Sequence, residues 1–295
     1  MAVAEPVVAT RIDPVAAKRT AARRRSTSWP STRTWSIVGA SLFAVMTLVA
    51  LLAPVISPHD PLTPVGIPLA APGQDGFLLG SDSIGRDILS RTLYGIRASW
   101  FAALVVVLGG LLIGGFIGLV AGASGGRVDN VLMRITDGFL ALPAPVLAIA
   151  VVASLGPSFE HTLIAVSIVW WPFYARIMRG EITKFASRPH VEAARLAGAG
   201  RTRIAFRHLL PGAVPSATVT ASLDLGNLVL VLAGLSFLGL GQSAPAPELG
   251  ADSARNLSFL LQQWWIPVVP GLAVALLAIV SNIAGDSVRN LVDPE

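Results

Sequence analysis

Long apolar runs separated by short polar segments dominate the chain. A helix needs roughly 20 apolar residues to cross the hydrocarbon of a bilayer. Six runs come near or exceed that length, and the fourth is the weakest because it is short and contains Pro172. Without the fourth run, however, the third would have no way back across the membrane. The pattern therefore predicts an all-α integral membrane protein with six transmembrane helices, over residues 36–56, 98–122, 138–155, 162–176, 212–239 and 264–285.

The distribution of basic residues predicts the orientation of these helices. Of the 22 Lys and Arg residues, only Arg86, Arg91, Arg97 and Arg255 fall outside when the N-terminus is placed inside. The positive-inside rule then puts both termini in the cytoplasm, an N-in/C-in arrangement that agrees with an even number of spans.

Three regions follow from this topology. Residues 1–34 are predicted to form a basic, disordered cytoplasmic tail, because they are rich in Ala, Arg, Pro and Ser and show no apolar period. Residues 35–97 hold the first span and an extracytoplasmic loop, whose part 82–97 is predicted to be an amphipathic helix on the membrane surface. Residues 98–295 form the transmembrane core, with a cytoplasmic loop over 181–213.

Composition supports the membrane assignment. Hydrophobic residues make up 53% of the chain and charged ones 13%, with a mean hydropathy of +0.68, whereas soluble domains carry about 25% charged residues. The net charge of +5 could suggest nucleic acid. The basic residues lie between apolar runs, however, so we predict membrane lipid and no nucleic acid as a partner.

Motifs of catalysis and metal binding are missing from the sequence. There is no cysteine, which excludes thiol chemistry and Cys-ligated zinc. Neither Lys18 nor Lys184 belongs to a phosphate-binding loop, so the chain should not bind ATP in that mode. No serine-nucleophile motif occurs. We predict a non-catalytic chain with no metal site, since no metal-ligand spacing links the four histidines, His59, His161, His190 and His208.

Asp224 is the one carboxylate near the middle of a predicted span. Such a group is costly in lipid and should face the bundle interior or a water-filled path. It could be a proton or cation site, a solvated residue that lines a pathway, or a residue bonded to Asn227 or Ser222.

Glycine recurs every fourth residue in the second span, at Gly110, Gly114, Gly118 and Gly122. This spacing puts the glycines on one helix face and permits close approach by another helix. The face could be a seam for dimerisation or gating, or it could pack ordinarily within one bundle.

The cytoplasmic loop contains the segment HVEAARLAGAGRTRIAFRHLLP, residues 190–211. Residues 191–197 are predicted to form a short helix that ends at Gly198 and Gly200. Residues 201–209 are predicted to form a second, basic helix, which Pro211 ends. From composition alone, the segment could equally be a solvated basic loop.

The order of residues in this segment resembles the EAA loop of ABC importer permeases. His208 stands where the general pattern has an aliphatic residue, and this is similar to the peptide-importer branch. The residues that the resemblance assigns to docking of an ATPase are Glu192, Ala193, Ala194, Gly198, Arg201, His208, Leu210 and Pro211.

A second motif, LGSDSIGRDILSRTLYGIRASW at 79–100, resembles the signature of C-type permeases of the dipeptide, oligopeptide and nickel importers. Ser81 replaces a threonine and keeps its hydroxyl. The resemblance covers residues 36–295. The matching residues in the outside loop are Gly80, Asp82, Gly85, Arg86, Asp87, Ser90 and Arg91. This motif could pack structurally or meet a substrate-binding protein.

The resemblance implies the fold of type I ABC importer permeases and a place in the bacterial plasma (inner) membrane. It implies a homologous B-type permease, an extracytoplasmic substrate-binding protein, and two cytoplasmic ATPase subunits that carry ATP and Mg²⁺. The chain would form half of a pathway for di- or oligopeptides that works by alternating access. Nickel or another small solute is an alternative cargo. An ion-coupled secondary transporter that uses Asp224, and a membrane scaffold or sensor, are alternative functions.

Overall fold

The computed structural model describes residues 32–292, and this part of the chain is helical. The predicted disordered tail lies outside the described residues except at its end, where the first helix begins. A π-helical turn spans Ala205–Leu209, and a 3₁₀ turn spans Leu257–Phe259. The α-helices are α1 Thr32–Ile56, α2 Ile88–Ser124, α3 Gly126–Leu140, α4 Ala144–Leu155, α5 Phe159–Ala186, α6 Pro189–Leu196, α7 Arg201–Ile204, α8 Leu210–Phe237, α9 Leu249–Arg255 and α10 Trp265–Val292.

Four stretches of the described chain are long and apolar enough to cross a membrane: Thr34–Ile56, Ile88–Ser124, Arg201–Phe237 and Trp265–Asn290. Helices α3 and α4 meet at 83° and add a fifth crossing if they form one broken span. Helix α5 has 28 residues, but its C-terminal half is polar. The architecture is thus an all-α membrane bundle. The six-helix count and the N-in/C-in orientation stay predictions.

The structure differs from two of the predicted elements, the surface helix 82–97 and the third span. The predicted surface helix 82–97 is wrong, because Ile88 to Arg97 are the first turns of the long helix α2, which Asp87 caps. The predicted third span, 138–155, is broken at residues 141–143. Pro143 caps α4 with an extended backbone, which proline favours and which stops a helix from continuing through it.

The prediction that Pro211 ends the second loop helix is wrong. Helix α7, the π turn and α8 form one continuous stretch, Arg201–Phe237. In a regular α-helix the Pro211 ring would clash with the carbonyl of Arg207. The wider π turn just before Pro211 relieves that clash, and Pro211 then sits in the first turn of α8.

The glycine face of α2 packs against α5 of the same chain. A Cβ on Gly114 would overlap the carbonyl oxygen of Trp171, and one on Gly118 would overlap that of Ala175. The glycines therefore bring the two backbones into contact, as small residues do between membrane helices. This supports ordinary packing within one bundle rather than a seam between chains. Around it lies a core of large, buried side chains from α2, α5, α8 and α10, which includes Trp100, Val106, Tyr174, Leu228 and Leu277.

Candidate functional site

Helix α6 presents most of its surface to solvent and is anchored by one residue. Val191 is fully buried among side chains that include Ile182, Ile204 and Leu209. Glu192, Ala193 and Arg195 are exposed, and Leu196 leaves 86% of its surface exposed. An apolar side chain this exposed beside small and charged neighbours is typical of a surface that another protein covers.

The end of α6 is a complete helix-stop motif at Gly198. Gly198 has φ +80°, its N–H donates to the Arg195 carbonyl at 3.0 Å, and the Ala199 N–H donates to the Ala194 carbonyl at 3.0 Å. This pair of hydrogen bonds is the Schellman arrangement, which needs a left-handed residue at the glycine position. The predicted end of the short helix at Gly198 is therefore present, and the left-handed glycine sets the direction in which the chain leaves α6.

The second half of the loop returns to the membrane as a stiff helix. Arg201 is exposed, whereas Ile204 is buried in the same cluster as Val191. His208, half-buried in the π turn, lies with its ring centroid 6.4 Å from that of His190 in α6. The loop thus folds back on itself, a contact that the sequence analysis did not predict.

Phe185, at the end of α5, joins the two membrane ends of the loop. The Arg188 guanidinium stacks 4.1 Å from its ring centroid, and a Cβ on Gly212 of α8 would overlap its ring. Glycine at position 212 therefore allows α5 and α8 to close on one aromatic ring. The ends of both spans and the segment that follows α5 thus share contacts to this one ring.

Helix α5 is also paired with α3 by two ion pairs. The Arg179 guanidinium donates two hydrogen bonds to the Asp129 carboxylate, at 2.6 and 3.1 Å, and Arg176 pairs with Asp137. Sequence reasoning had counted these arginines only as inside charges. No local spacing links them to their partners, which lie 50 and 39 residues away.

The outside motif forms a tight turn that starts α2. The Asp82 carboxylate accepts the Arg86 N–H at 2.9 Å and the Arg86 Nε–H at 2.6 Å. The Asp87 carboxylate caps α2 by accepting the Ser90 N–H at 3.1 Å, and the Ser90 hydroxyl also donates to it. The His59 backbone N–H then donates to the Ser90 hydroxyl at 3.1 Å, which ties in the start of the outside loop.

Two glycines of the motif are required by close backbone approach. Gly80 has φ +82° and Gly85 has φ +86°, a region that side chains disfavour. A Cβ on Gly80 would meet the Ala70 carbonyl oxygen at 2.6 Å, and one on Gly85 would overlap the Gly66 carbonyl.

Among the residues of the motif, Arg91 contacts parts of the chain that are distant in sequence. Its guanidinium binds both carboxylate oxygens of Asp252 in α9, at 2.7 and 3.2 Å. It also donates to the carbonyls of Pro61 at 2.8 Å and Pro245 at 3.1 Å. The Arg91 side chain is only 5% exposed and that of Asp252 8%. All seven matched residues therefore lie in a folded cap of this chain that holds α2, the outside loop and α9 together.

Glu248 caps α9 beside this pair. Its carboxylate accepts the N–H groups of Ala251 at 2.8 Å and Gly250 at 3.3 Å. Burial raises the pKa of Glu248, the charge of Asp252 raises it further, and the backbone hydrogen bonds oppose the rise. The sequence analysis did not single out Glu248 or Asp252.

Asp224 lies inside the bundle between α8 and α5, with 9% of its surface exposed. One carboxylate oxygen accepts the Trp170 indole N–H and, at 2.9 Å, the Tyr174 hydroxyl. The other accepts the Asn227 amide at 3.4 Å. Of the two bonds considered as alternatives from the sequence, the one to Asn227 is present, whereas the Ser222 hydroxyl donates to the Val219 carbonyl.

Comparison with known proteins gives matches over most of the chain. Residues 114–295 match the family described as binding-protein-dependent transport system inner membrane component. A probable D,D-dipeptide transport system permease protein of Escherichia coli is 38% identical over 88% of this chain and 87% of its own length. A di/tripeptide transport system permease protein of Pseudomonas aeruginosa is 39% identical over 88% of each chain. A nickel transport system permease protein of Escherichia coli is 36% identical over 88% of this chain and 94% of its own length.

The fold also matches a solved transporter. An inward-facing structure of a methionine ABC transporter aligns with a TM-score of 0.57 and 20% identity, over 69% of this chain and 96% of that one. This likeness concerns the fold alone. The apolar helices place the chain in the membrane, and the matched family and relatives agree with the resemblance carried by the two motifs. The chain belongs to the family of binding-protein-dependent transport system inner membrane components.

Proposed function

We propose that this chain is the permease subunit of an ATP-driven importer and that α6 is its docking site for a cytoplasmic ATPase. The observation that carries the proposal is the build of the loop. Helix α6 exposes Glu192, Ala193 and Leu196, is anchored by the buried Val191, and ends at the Gly198 motif. A loop this well organised, with an uncovered apolar side chain at its tip, is suited to receive a partner.

The assembly that we propose contains two such docking contacts. A homologous B-type permease would complete the pathway, two ATPase subunits would carry ATP and Mg²⁺, and an extracytoplasmic binding protein would deliver the cargo. In this arrangement the chain has six spans with both termini in the cytoplasm. The distribution of Lys and Arg supports that orientation, and the docking helix then lies on the ATPase side.

Transport in this assembly would proceed by alternating access. Closure of the ATPases would displace α6, and the displacement would reach α8 through the short link at Gly198 and Gly200. Because Arg201–Phe237 is one continuous helix, α8 would tilt as a unit. The Phe185 contacts to Arg188 and Gly212 would make α5 follow.

Peptides are the cargo that we propose. Relatives from Escherichia coli and Pseudomonas aeruginosa, 38% and 39% identical, are named as dipeptide and di/tripeptide permeases. Nickel is the second candidate, because a nickel permease is 36% identical over a similar length. Uptake of labelled dialanine against uptake of nickel, in vesicles that hold the complete assembly, decides between the two.

The docking proposal is tested by charge placed on the exposed tip of α6. Leu196→Asp should abolish co-purification of the ATPase subunits, since it puts a carboxylate into an apolar contact. Leu261→Asp, at a residue that is 96% exposed beyond the other end of α8, should leave co-purification unchanged. Retention of the ATPases by Leu196→Asp at the wild-type level would refute the docking site.

A further inference from the structure

Asn227 is a polar side chain exposed on the surface of the bundle at membrane depth. It lies in α8, ten residues before the helix ends at Phe237, which corresponds to about 15 Å along the axis. The residues on both sides of it point inward: Gly226 and Leu228 are buried. Farther along the same exposed face come Leu230, Gly234 and Phe237.

The face that carries Asn227 lies between two packed neighbours of α8. Asp224 marks the side that contacts α5, through Trp170 and Tyr174. Gly226 marks the side that contacts α10, where a Cβ would meet the Asn282 carboxamide at 2.9 Å. Asn282 is exposed as well. Both carboxamides are therefore exposed, Asn227 on α8 and Asn282 on α10, the helix that packs against Gly226.

Lipid is a poor environment for this face. A carboxamide has two N–H donors and a carbonyl acceptor. Within the described part of the chain, only one donor of Asn227 is used, in a long bond of 3.4 Å to Asp224. The remaining groups would be unsatisfied in hydrocarbon, which is costly. Polar groups inside membrane proteins accordingly face the bundle interior or a water-filled path.

The Asp224 network holds Asn227 in a fixed position. Trp170 and Tyr174 fix one carboxylate oxygen from α5, and the other oxygen receives the Asn227 amide. The carboxylate is thus buried behind the exposed Asn227 side chain, whose second N–H and carbonyl have no hydrogen-bond partner among residues 32–292. Those are the groups that pair with a peptide bond, which offers one N–H and one C=O.

We propose that Asn227 faces the translocation pathway and contacts the transported solute, with Asp224 as the positioning residue behind it. The inference rests on the proposed importer function. It assigns the direct polar contact to a neutral amide rather than to the carboxylate, and it suits a cargo that carries amide or peptide groups.

The position of Asn227 is tested by the accessibility of a cysteine at this site to a water-soluble reagent. Because the chain has no cysteine, Asn227→Cys gives it a single thiol. The complete transporter, reconstituted in lipid vesicles, is treated with a charged, membrane-impermeant methanethiosulfonate, and labelling is read on this chain by mass. Leu48→Cys, an exposed apolar site in α1, and Leu228→Cys, a buried site in α8, are the controls.

We expect Asn227→Cys to react about tenfold faster than either control, because a thiol kept in hydrocarbon is neither ionised nor within reach of a charged reagent. Dialanine added with its binding protein and ATP should slow the reaction several-fold. A rate no faster than at Leu48→Cys would overturn the proposal, whether lipid or the partner permease covers the residue.

Transport kinetics test the contact itself. Asn227→Leu should raise KM for dialanine several-fold without loss of ATPase subunits from the complex. Asn227→Gln, which keeps a carboxamide, should raise KM less than Asn227→Leu does. An unchanged KM in Asn227→Leu would overturn the role in binding. If instead the wild-type complex takes up no solute with ATP, the proposed function fails, and that outcome is separate from the labelling result.

Discussion

Arg91→Met removes the most connected side chain of the outer cap. The native guanidinium makes two hydrogen bonds to the Asp252 carboxylate and donates to three backbone carbonyls, the longest of these bonds at 3.5 Å, and it is 5% exposed. Methionine keeps much of the volume and loses the charge and all the donors. The change therefore leaves Asp252, 8% exposed, without its bidentate partner.

The expected loss of stability is about 3 kcal/mol. Removing one partner of a buried ion pair costs roughly 3–5 kcal/mol, because the other charge stays buried and uncompensated. Arg255 still lies 3.6 Å from Asp252 and compensates part of that charge, so the lower end of the range applies. For a chain of this size, a loss of about 3 kcal/mol lowers the melting midpoint by roughly 6–12 °C.

The assay is thermal unfolding of the detergent-solubilised chain, followed by tryptophan fluorescence. Arg255→Met is the matched control, since Arg255 approaches the same carboxylate at longer distance and is 30% exposed; its change should cost less than about 1 kcal/mol. Arg91→Met combined with Asp252→Leu should be more stable than Arg91→Met alone, because no buried charge is left unpaired. An Arg91→Met midpoint equal to that of Arg255→Met, or a double variant whose loss is the sum of the singles, would refute the reasoning.

Gly114→Ala should destabilise the chain by about 1–3 kcal/mol, since its Cβ would overlap the backbone of α5, while Gly109→Ala, with no atom within 4 Å, should be neutral in the same melting assay. Gly198→Ala should weaken coupling of ATP hydrolysis to uptake, because a left-handed alanine costs about 1 kcal/mol; Gly200→Ala, where the backbone is extended with φ −66°, should not. Burial raises the pKa of Glu248, so the folded chain binds that proton more tightly than the unfolded chain does. Stability should therefore fall as pH rises from about 4.3 through the folded pKa, and Glu248→Gln, which keeps a capping oxygen, should flatten this dependence in melts across pH.

The positions of the long helices could be predicted from the sequence, because the length of a continuous apolar run decides whether a helix can cross the membrane. The prediction failed at the start of α2, where Arg91 and its charged neighbours indicated a surface helix. The charge of Arg91 is hidden by Asp252, 161 residues away, and no local pattern carries that pairing. The same holds for the break between α3 and α4, where the sequence showed Pro143 but not the 83° change of direction.

The cytoplasmic loop could be predicted further than any other part of the candidate site. A helix that ends at a left-handed glycine is encoded by neighbouring residues, and the Gly198 motif follows that rule. The residue that anchors α6 could not be predicted from the sequence. Val191 looks like any small apolar residue in a short helix, and only the folded cluster with Ile182, Ile204 and Leu209 shows that it fixes α6 to the membrane ends of α5 and α8.

The continuation of the helix through Pro211 bears on how motion of the loop can reach the membrane. If Pro211 ended the second loop helix, a flexible joint would lie at the membrane surface, and motion of α6 would be lost there. The π turn instead carries the helix through, so that Arg201–Phe237 extends about 55 Å without a break. In the proposed mechanism, bending would occur at the link of Gly198 and Gly200, next to α6. Asn227 lies in the half of this continuous helix that is farther from α6, so a tilt set by a docked ATPase would move its amide across the membrane interior.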